Sequence, residues 1–204
     1  MVVVLAIIAI ITVIAVTGQS TFNRTLLLTD TTYSVAFSAR QAQSFGLSSR
    51  KFGSVQNPGY GIHLSSATPG SYTVFADTSN ALPAPSNCPL GAAGTPEQKP
   101  GNCRYEGSDG TVGSYTFSRG FKVQRFCGKV GITSYCSTDS VPLTTLDAVF
   151  TRPNTSTTLS GLVNGTSLTS FTCAEMTIGD ATGQSTKTIR ISSLGEIAIG
   201  QGCP

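Results

Sequence analysis

The feature that most constrains this chain is an unbroken apolar run at its N-terminus. From Met1 to Val16 every residue is apolar except Thr12, whose hydroxyl can bond to a backbone carbonyl within a helix. Such a run predicts a helix that is buried in lipid or among copies of itself. At about 1.5 Å per residue it spans roughly 24 Å, less than the roughly 30 Å of a bilayer core, so we expect about five further residues, ending in an acid, before Met1. A cleavable secretory signal is the alternative, but the run lacks a positively charged start and a clear cleavage site.

The same run supplies the side chains that we expect to hold copies of the chain together. Small residues would let neighbouring helices approach closely, and large aliphatic residues would fill the gaps between them. The large residues are Met1, Val4, Leu5, Ile8, Ile11 and Ile14, and the small residues are Ala6, Ala9 and Ala15. Because a single subunit cannot cover this surface alone, the run predicts identical subunits in a helical filament with these segments at its centre.

Beyond the run, the helix is predicted to continue as an amphipathic stem over residues 17–52. Large apolar residues recur there at roughly helical spacing, and we expect this face to pack under the rest of the chain. These residues are Leu26, Tyr33, Phe37 and Phe45. Glycine costs about 1 kcal/mol inside a helix and threonine competes for backbone bonds, so Thr17 and Gly18 are predicted to form the weakest turn.

Residues 53–204 are predicted to form one β-rich head. Only 11% of the residues are charged, and the head shows period-two patterns broken by turn residues. The predicted strands are 61–64, 72–76, 114–117, 121–126, 146–150, 170–178, 186–192 and 196–199. Turns at 118–120 and 193–195 each carry a glycine and predict two antiparallel hairpins, while the proline-rich segment 80–110 predicts a long loop.

These elements define the predicted fold class and domain organisation. The fold is expected to be α+β: a long N-terminal α-helix packed on an antiparallel β-rich head with disulfides. Half of that helix, residues 1–16, would be the transmembrane or filament-core part, and the other half, residues 17–52, would be the stem. We therefore expect a helical part at 1–52 and a globular head at 53–204.

The six cysteines all lie in the head, and their even number predicts three disulfides. No C-x-x-C spacing occurs, so the sequence offers no zinc knuckle, thioredoxin-type site or haem attachment. Pairing along the chain, one of 15 possible connectivities, would join Cys88 to Cys103, Cys127 to Cys136 and Cys173 to Cys203. Disulfides persist outside the cytoplasm, so the head is predicted to be extracellular.

The sequence gives little support for catalysis or cofactor binding. The single histidine, His63, lies in a short predicted strand on the face opposite Ile62 and Leu64, where solvent exposure is expected. No G-x-S-x-G motif occurs, and the segments 179–187 and 106–110 match a phosphate loop and a calcium loop only superficially. We therefore expect no catalytic residues, no cofactor and no metal. A net charge of +3 with scattered basic residues predicts no specific nucleic acid partner.

The apolar run and the head segments 58–62, 72–77, 148–153 and 189–197 together resemble the type IV pilins and pseudopilins. The apolar run is similar in length to the N-terminal helix of these proteins, where it normally follows Phe-Thr-Leu-Ile-Glu. The printed sequence begins after the position of this signature, and we expect its acid among the residues before Met1. The four head segments are most similar to the H-type pseudopilins and to the pilus proteins named FimT.

The resemblance implies a structural subunit and not an enzyme. In such proteins the helix first anchors the subunit in the inner membrane and, with the pilus assembly machinery, later forms the core of an extracellular filament. The preferred hypothesis is a pilin of a type IV-like pilus on the cell surface, acting in adhesion or motility. A minor pseudopilin of a type II secretion or DNA-uptake filament is one alternative. A secreted monomeric enzyme or binding module behind a signal peptide is another.

Overall fold

The computed structural model describes residues 2–48, 50–89, 99–153 and 155–204, without the side chains of 14–21. These residues form a helix and 11 strands. Helix α1 is Val2–Leu47. The strands are β1 (Gly59–Ser65), β2 (Ser71–Asp77), β3 (Gly110–Thr116), β4 (Lys122–Val130), β5 (Thr133–Cys136), β6 (Leu143–Phe150), β7 (Thr157–Val163), β8 (Thr166–Thr169), β9 (Cys173–Gly179), β10 (Thr186–Ser192) and β11 (Ile197–Ile199).

The strands form two antiparallel sheets. Sheet I has the order β3-β2-β1-β6-β7-β8, and sheet II has the order β11-β10-β9-β4-β5. The central strand β1 pairs with β2 on one side and with β6 on the other. In sheet II the central strand β9 lies between β10 and β4. Two stacked antiparallel sheets are the arrangement that period-two patterns favour.

The core lies between the two sheets and is closed by the helix. Ile62 and Leu64 of sheet I and Met176 and Ile191 of sheet II are all buried and line one small interior space. That space measures about 10 Å³, room for about one water molecule, so the two sheets are in close contact at this point. On β1, the side chains that alternate with Ile62 and Leu64 point to the other face of sheet I.

The helix packs on both sheets through small residues. It contacts β1 and β6 of sheet I and β10 and β11 of sheet II. Ala39 and Ala42 on the inward face have no exposed surface, and Leu28 and Val35 add larger side chains to the same buried face. Since short side chains bring a helix axis close to a sheet, the buried face of the helix is narrow and well packed.

The predicted α+β fold class is wrong. The described chain is mostly antiparallel β-sheet in two layers, and the expected long helix packed along its length on the head is not seen, because only part of α1 packs on the sheets. Helical residues with described side chains fall into a short stretch, 2–13, and a stretch of about 26 residues, 22–47. Buried side chains occur only in the second of these stretches, because the first stretch lies clear of both sheets.

No helix among the described residues is long and apolar enough to cross a membrane, so the transmembrane helix predicted from residues 1–16 is not found.

The predicted orientation of the stem is also wrong. Leu26, Tyr33 and Phe37, which were expected to pack under the head, are exposed. Phe45 is half-buried, with its ring edge-on to Tyr60 at a centroid distance of 5.5 Å. The helix buries its small side chains instead, because a row of aromatic rings would hold the helix axis away from the sheets.

All eight predicted strands overlap strands of the structure, whereas one of the two predicted hairpins forms and the other does not. The turn at 193–195 joins β10 to β11 as predicted, with Ile189 opposite Ile199. The turn at 118–120 does not form a hairpin: β3 pairs only with β2 in sheet I, whereas β4 lies inside sheet II. Strands β5, β7 and β8 were not predicted, because their threonine- and serine-rich sequences lack a clear alternation of apolar residues.

Candidate assembly surface

The first helical stretch presents apolar side chains to solvent on every side. All described residues from Val2 to Val13 are exposed. The hydroxyl of Thr12 donates to the carbonyl oxygen of Ile8 at 2.7 Å, as the sequence predicts, so the only polar side chain of this stretch is satisfied within the helix. We call residues 2–13 the apolar stretch. It is a surface without polar groups and without a covering element among the described residues.

The structure places most of the predicted assembly residues on this surface. Val4, Leu5, Ile8 and Ile11 are exposed large residues, and Ala6 and Ala9 are exposed small ones. Met1 and the side chains of Ile14, Ala15, Thr17 and Gly18 lie outside the described residues. The roles assigned to all of these residues, including the weak turn at Thr17 and Gly18, stay predictions.

A second apolar surface continues along the helix beside the head. We call it the outer stripe, and it consists of Phe22, Leu26, Tyr33 and Phe37, which are exposed by 64%, 52%, 60% and 69%. Their separations of four, seven and four residues keep them on one face of a helix with 3.6 residues per turn. This face points away from the buried alanines, so the stripe lies on the side of the helix opposite the sheets.

Two charged residues lie along the outer stripe. Asp30 is exposed and forms no ion pair or hydrogen bond with any residue that the structure describes. Arg40 is also exposed, and its Nη2 donates to the carbonyl oxygen of Ile197 at 3.3 Å without a carboxylate partner in the described chain. Arg24 is different, because its guanidinium lies 3.2 Å from the carboxylate of Asp180. Thus the stripe carries one acid and one base that have no oppositely charged partner in the part of the chain that the structure describes.

The outward face of sheet I is covered by the long loop before β3. His63, expected to be solvent-facing, lies beneath Tyr105 of this loop at a ring-centroid distance of 4.2 Å. Its Nδ1 lies 2.6 Å from Oδ1 of Asp147 on β6, and both side chains are mostly buried. The prediction of solvent exposure is therefore wrong, because the loop packs on the face that alternation alone assigns to water.

Three carboxylates hold the loop in place. Asp77 accepts from the backbone N–H groups of Asn102 and Cys103 at 2.9 and 2.6 Å. Asp109 accepts from Thr78, Ser79 and Glu106 in the same way, and Glu106 accepts from Ser79, Ala81, Leu82 and Asn102. No group of His, Cys, Asp or Glu side chains in the described segments is arranged to hold a metal ion. The carboxylate oxygens of Asp77, Glu106 and Asp109 order the loop by accepting hydrogen bonds from its backbone N–H groups.

Burial affects the acid strength of these carboxyl groups in different ways. It raises the pKa of Asp77 well above its ordinary value, against the backbone hydrogen bonds, and the nearby Asp109 and Glu106 act in the same direction. Burial likewise raises the pKa of Asp109. For Glu106 burial acts upward too, but its hydrogen bonds, with that from Ser79 first, lower the pKa overall.

The predicted disulfide pairing is confirmed. Cys88 pairs with Cys103 within the long loop, and Cys127 pairs with Cys136 across β4 and β5. The third bridge joins Cys173 at the start of β9 to Cys203 beside the C-terminal residue. Each bridge is worth roughly 2 to 4 kcal/mol.

Phe22 was not among the predicted apolar residues of the stem, and no role was predicted for Asp30 or Arg40. The spacing of Phe22 and Leu26 from Tyr33 and Phe37 could have revealed a stripe, but not which way it faces. The sequence pointed to Glu106 and Asp109 only as part of a superficial calcium loop and did not connect them to Asp77, because most groups that these carboxylates bind are backbone N–H groups distant in sequence.

Searches against protein-family models, curated proteins and solved structures find no match to the chain.

Proposed function

We propose that this chain is a structural subunit, a pilin, that polymerises into an extracellular type IV-like filament through its apolar N-terminal segment. The observation that carries the proposal is the apolar stretch, which exposes nine large aliphatic residues between Val2 and Val13. Burying a Val, Leu or Ile side chain contributes about 1.5 to 3 kcal/mol, so covering this stretch is worth on the order of 15 to 25 kcal/mol as an upper estimate.

The position of the head supports a filament with helices at its centre. The apolar stretch lies clear of both sheets, and the outer stripe continues its apolar surface on the side of the helix that faces away from them. Copies that bury both surfaces against one another place their heads on the outside. A repeated contact between two different patches extends into a helical filament when its rotation does not close into a ring.

The construction of the head supports an extracellular location. Three disulfides and a loop ordered by buried carboxylates resist local unfolding outside the cell, where disulfides persist. Before assembly, the apolar stretch is held in the inner membrane and is handed to the pilus assembly machinery. Within the filament the partners of the chain are identical subunits, and the function needs no cofactor.

The proposal is tested by placing one charge in the apolar stretch. Ile8→Lys would bury an unpaired ammonium at every subunit contact, which costs several kcal/mol, so sheared fractions from expressing cells should contain no filaments. Ile132→Lys is the matched control: this residue is 98% exposed in the turn between β4 and β5, and filaments should form as in the wild type. Electron microscopy and gel analysis of the sheared fraction provide the measurement.

The outcomes of this experiment separate the proposal from its rivals. Normal filaments from Ile8→Lys would remove the apolar stretch from the filament centre and overturn the proposal. A chain that is only a trace component of the sheared filaments would indicate a minor pseudopilin. A mature secreted protein that lacks the apolar stretch by intact mass would indicate a monomeric enzyme or binding module.

A further inference from the structure

We propose that neighbouring copies pack outer stripe against outer stripe, parallel and displaced by about 11 residues, so that Asp30 of one copy pairs with Arg40 of the next. This inference rests on the proposed filament and specifies the contact within it. The partner is a second copy of this chain. The contact involves exposed residues of the helix beside the head, so it is separate from the apolar stretch.

The outer stripe repeats itself along the helix. Phe22 and Tyr33 are 11 residues apart, and Leu26 and Phe37 are 11 residues apart. Eleven residues make about three turns of an α-helix, so both pairs face the same direction and are about 16 Å apart along the axis. A copy displaced by this distance brings its Phe22 and Leu26 level with Tyr33 and Phe37 of its neighbour. Large apolar side chains then meet large apolar side chains.

The charges along the stripe favour the same displacement. When a copy is moved by 11 residues, its Asp30 lies level with residue 41 of the neighbour, about 1.5 Å along the axis from Arg40. Without displacement, Asp30 would face Asp30 of the neighbour and Arg40 would face Arg40, and both contacts would be repulsive. Neither charge is neutralised by a side chain among the described residues of its own subunit. The Arg40 guanidinium donates one hydrogen bond to the carbonyl oxygen of Ile197 and keeps its other N–H groups for a neighbour.

The arrangement leaves room for the heads. The stripe lies opposite the buried alanine face of the helix, so stripes can meet while the sheets remain outside. In one such contact, one copy contributes Tyr33 and Phe37 and the other copy contributes Phe22 and Leu26.

Charge reversal in the full-length chain tests the pairing. Asp30→Lys or Arg40→Glu alone places like charges at every contact, and each should lower the yield of sheared filaments roughly tenfold. The double variant Asp30→Lys with Arg40→Glu restores opposite charges and should recover the yield to within about twofold of wild type. Lys51→Glu is the control, because this exposed residue follows the helix and lies off the stripe. Resistance of the heads to protease shows that each variant is folded.

Site-specific photo-cross-linking tests the displacement directly. A photoreactive residue in place of Leu26 should capture the segment around Phe37 of the neighbouring copy, as read by mass spectrometry of the cross-linked peptides. Capture of the segment around residue 26 itself would overturn the displaced register.

The two proposals fail in different ways. If wild-type filaments form and the double variant remains as poor as the single ones, the pairing is wrong and the proposed function stands. If the wild-type chain forms no filaments at all, both proposals fall. Unchanged filament yield in both single variants would also overturn the pairing, because like charges would then face each other without consequence.

Discussion

Gly46 in the last turn of the helix lies directly against the backbone of Phe150 at the end of β6. A Cβ atom on Gly46 would stand 2.1 Å from the carbonyl oxygen of Phe150. No side chain of any size fits in that gap, so the end of the helix and the end of a central strand of sheet I are held backbone to backbone. This contact fixes where the helix leaves the head and therefore where the outer stripe points.

Gly46→Ala is expected to destabilise the head, although alanine is the better helix former. The added methyl group cannot displace a backbone carbonyl without moving β6, and overpacking of this kind costs about 1 to 3 kcal/mol or more. Gly70→Ala is the control, because a Cβ there meets nothing within 4 Å, and its effect should stay within about 0.5 kcal/mol. Urea unfolding of the full-length chain in a mild detergent gives both values. Equal stability of the two variants would contradict the close contact.

The buried carboxylates of the long loop predict opposite pH dependences for two substitutions. Burial raises the pKa of Asp77, so its contribution to stability is fully present below the unfolded pKa and is lost as pH rises through the folded value. The pKa of Glu106 is lowered by its hydrogen bonds despite burial, so its contribution is present above the unfolded pKa and is lost as pH falls.

The measurement compares each variant with the wild type from about pH 3 to about pH 8, a range that starts below the ordinary pKa values of both carboxyl groups. The stability advantage of the wild type over Asp77→Asn should shrink as pH rises. Its advantage over Glu106→Gln should grow over the same range. Slopes of the same sign for both variants would show that the loop does not hold these two acids in different environments.

Local patterns in the sequence predict the parts of this fold that depend on neighbouring residues. The turn at 193–195 joins two isoleucine-rich strands, and their pairing needs only the residues beside the turn. The pairing of Cys127 with Cys136 is similar, because these residues are directly opposite in the β4–β5 hairpin. In both cases the loop between the partners is short, so the local sequence suffices.

The parts that could not be predicted depend on residues distant in sequence. The turn at 118–120 is a real turn, but the N–H groups of Phe117 and Val123 on either side of it donate to carbonyl groups of Gly70 and Pro69. The chain therefore passes from sheet I to sheet II at this point. Nothing in the two aromatic flanks distinguishes such a crossing from a hairpin. His63 is a second case, because the loop that covers it begins after β2 and returns at β3.

The orientation of the helix could not be predicted because the helix has two apolar faces. Leu28, Val35, Ala39 and Ala42 form one, and the outer stripe forms the other. The helical periodicity of apolar residues detects both faces and favours the face with larger side chains. The face with smaller side chains packs on the head, because a close helix-to-sheet contact buries more backbone and needs no gap for aromatic rings.

The orientation of the helix is tested by substitutions on its two faces. Phe37→Ser removes a large aromatic side chain from the outer stripe, yet the residue is 69% exposed in the subunit, so the free energy of unfolding should change by less than about 0.5 kcal/mol. Ala39→Leu adds three carbon atoms to a position with no exposed surface, and this should cost about 1 to 3 kcal/mol.

Filament assembly should respond to these two substitutions differently from the stability of the subunit. Phe37→Ser leaves the subunit intact but removes one of the four apolar side chains that we propose to meet a neighbour, so filament yield should fall while the stability of the detergent-solubilised subunit is unchanged. Ala39→Leu should lower both quantities together, because the subunit itself is less stable. A large loss of subunit stability in Phe37→Ser would show that this ring packs on the head, and the outer stripe would then have no surface to offer a second copy.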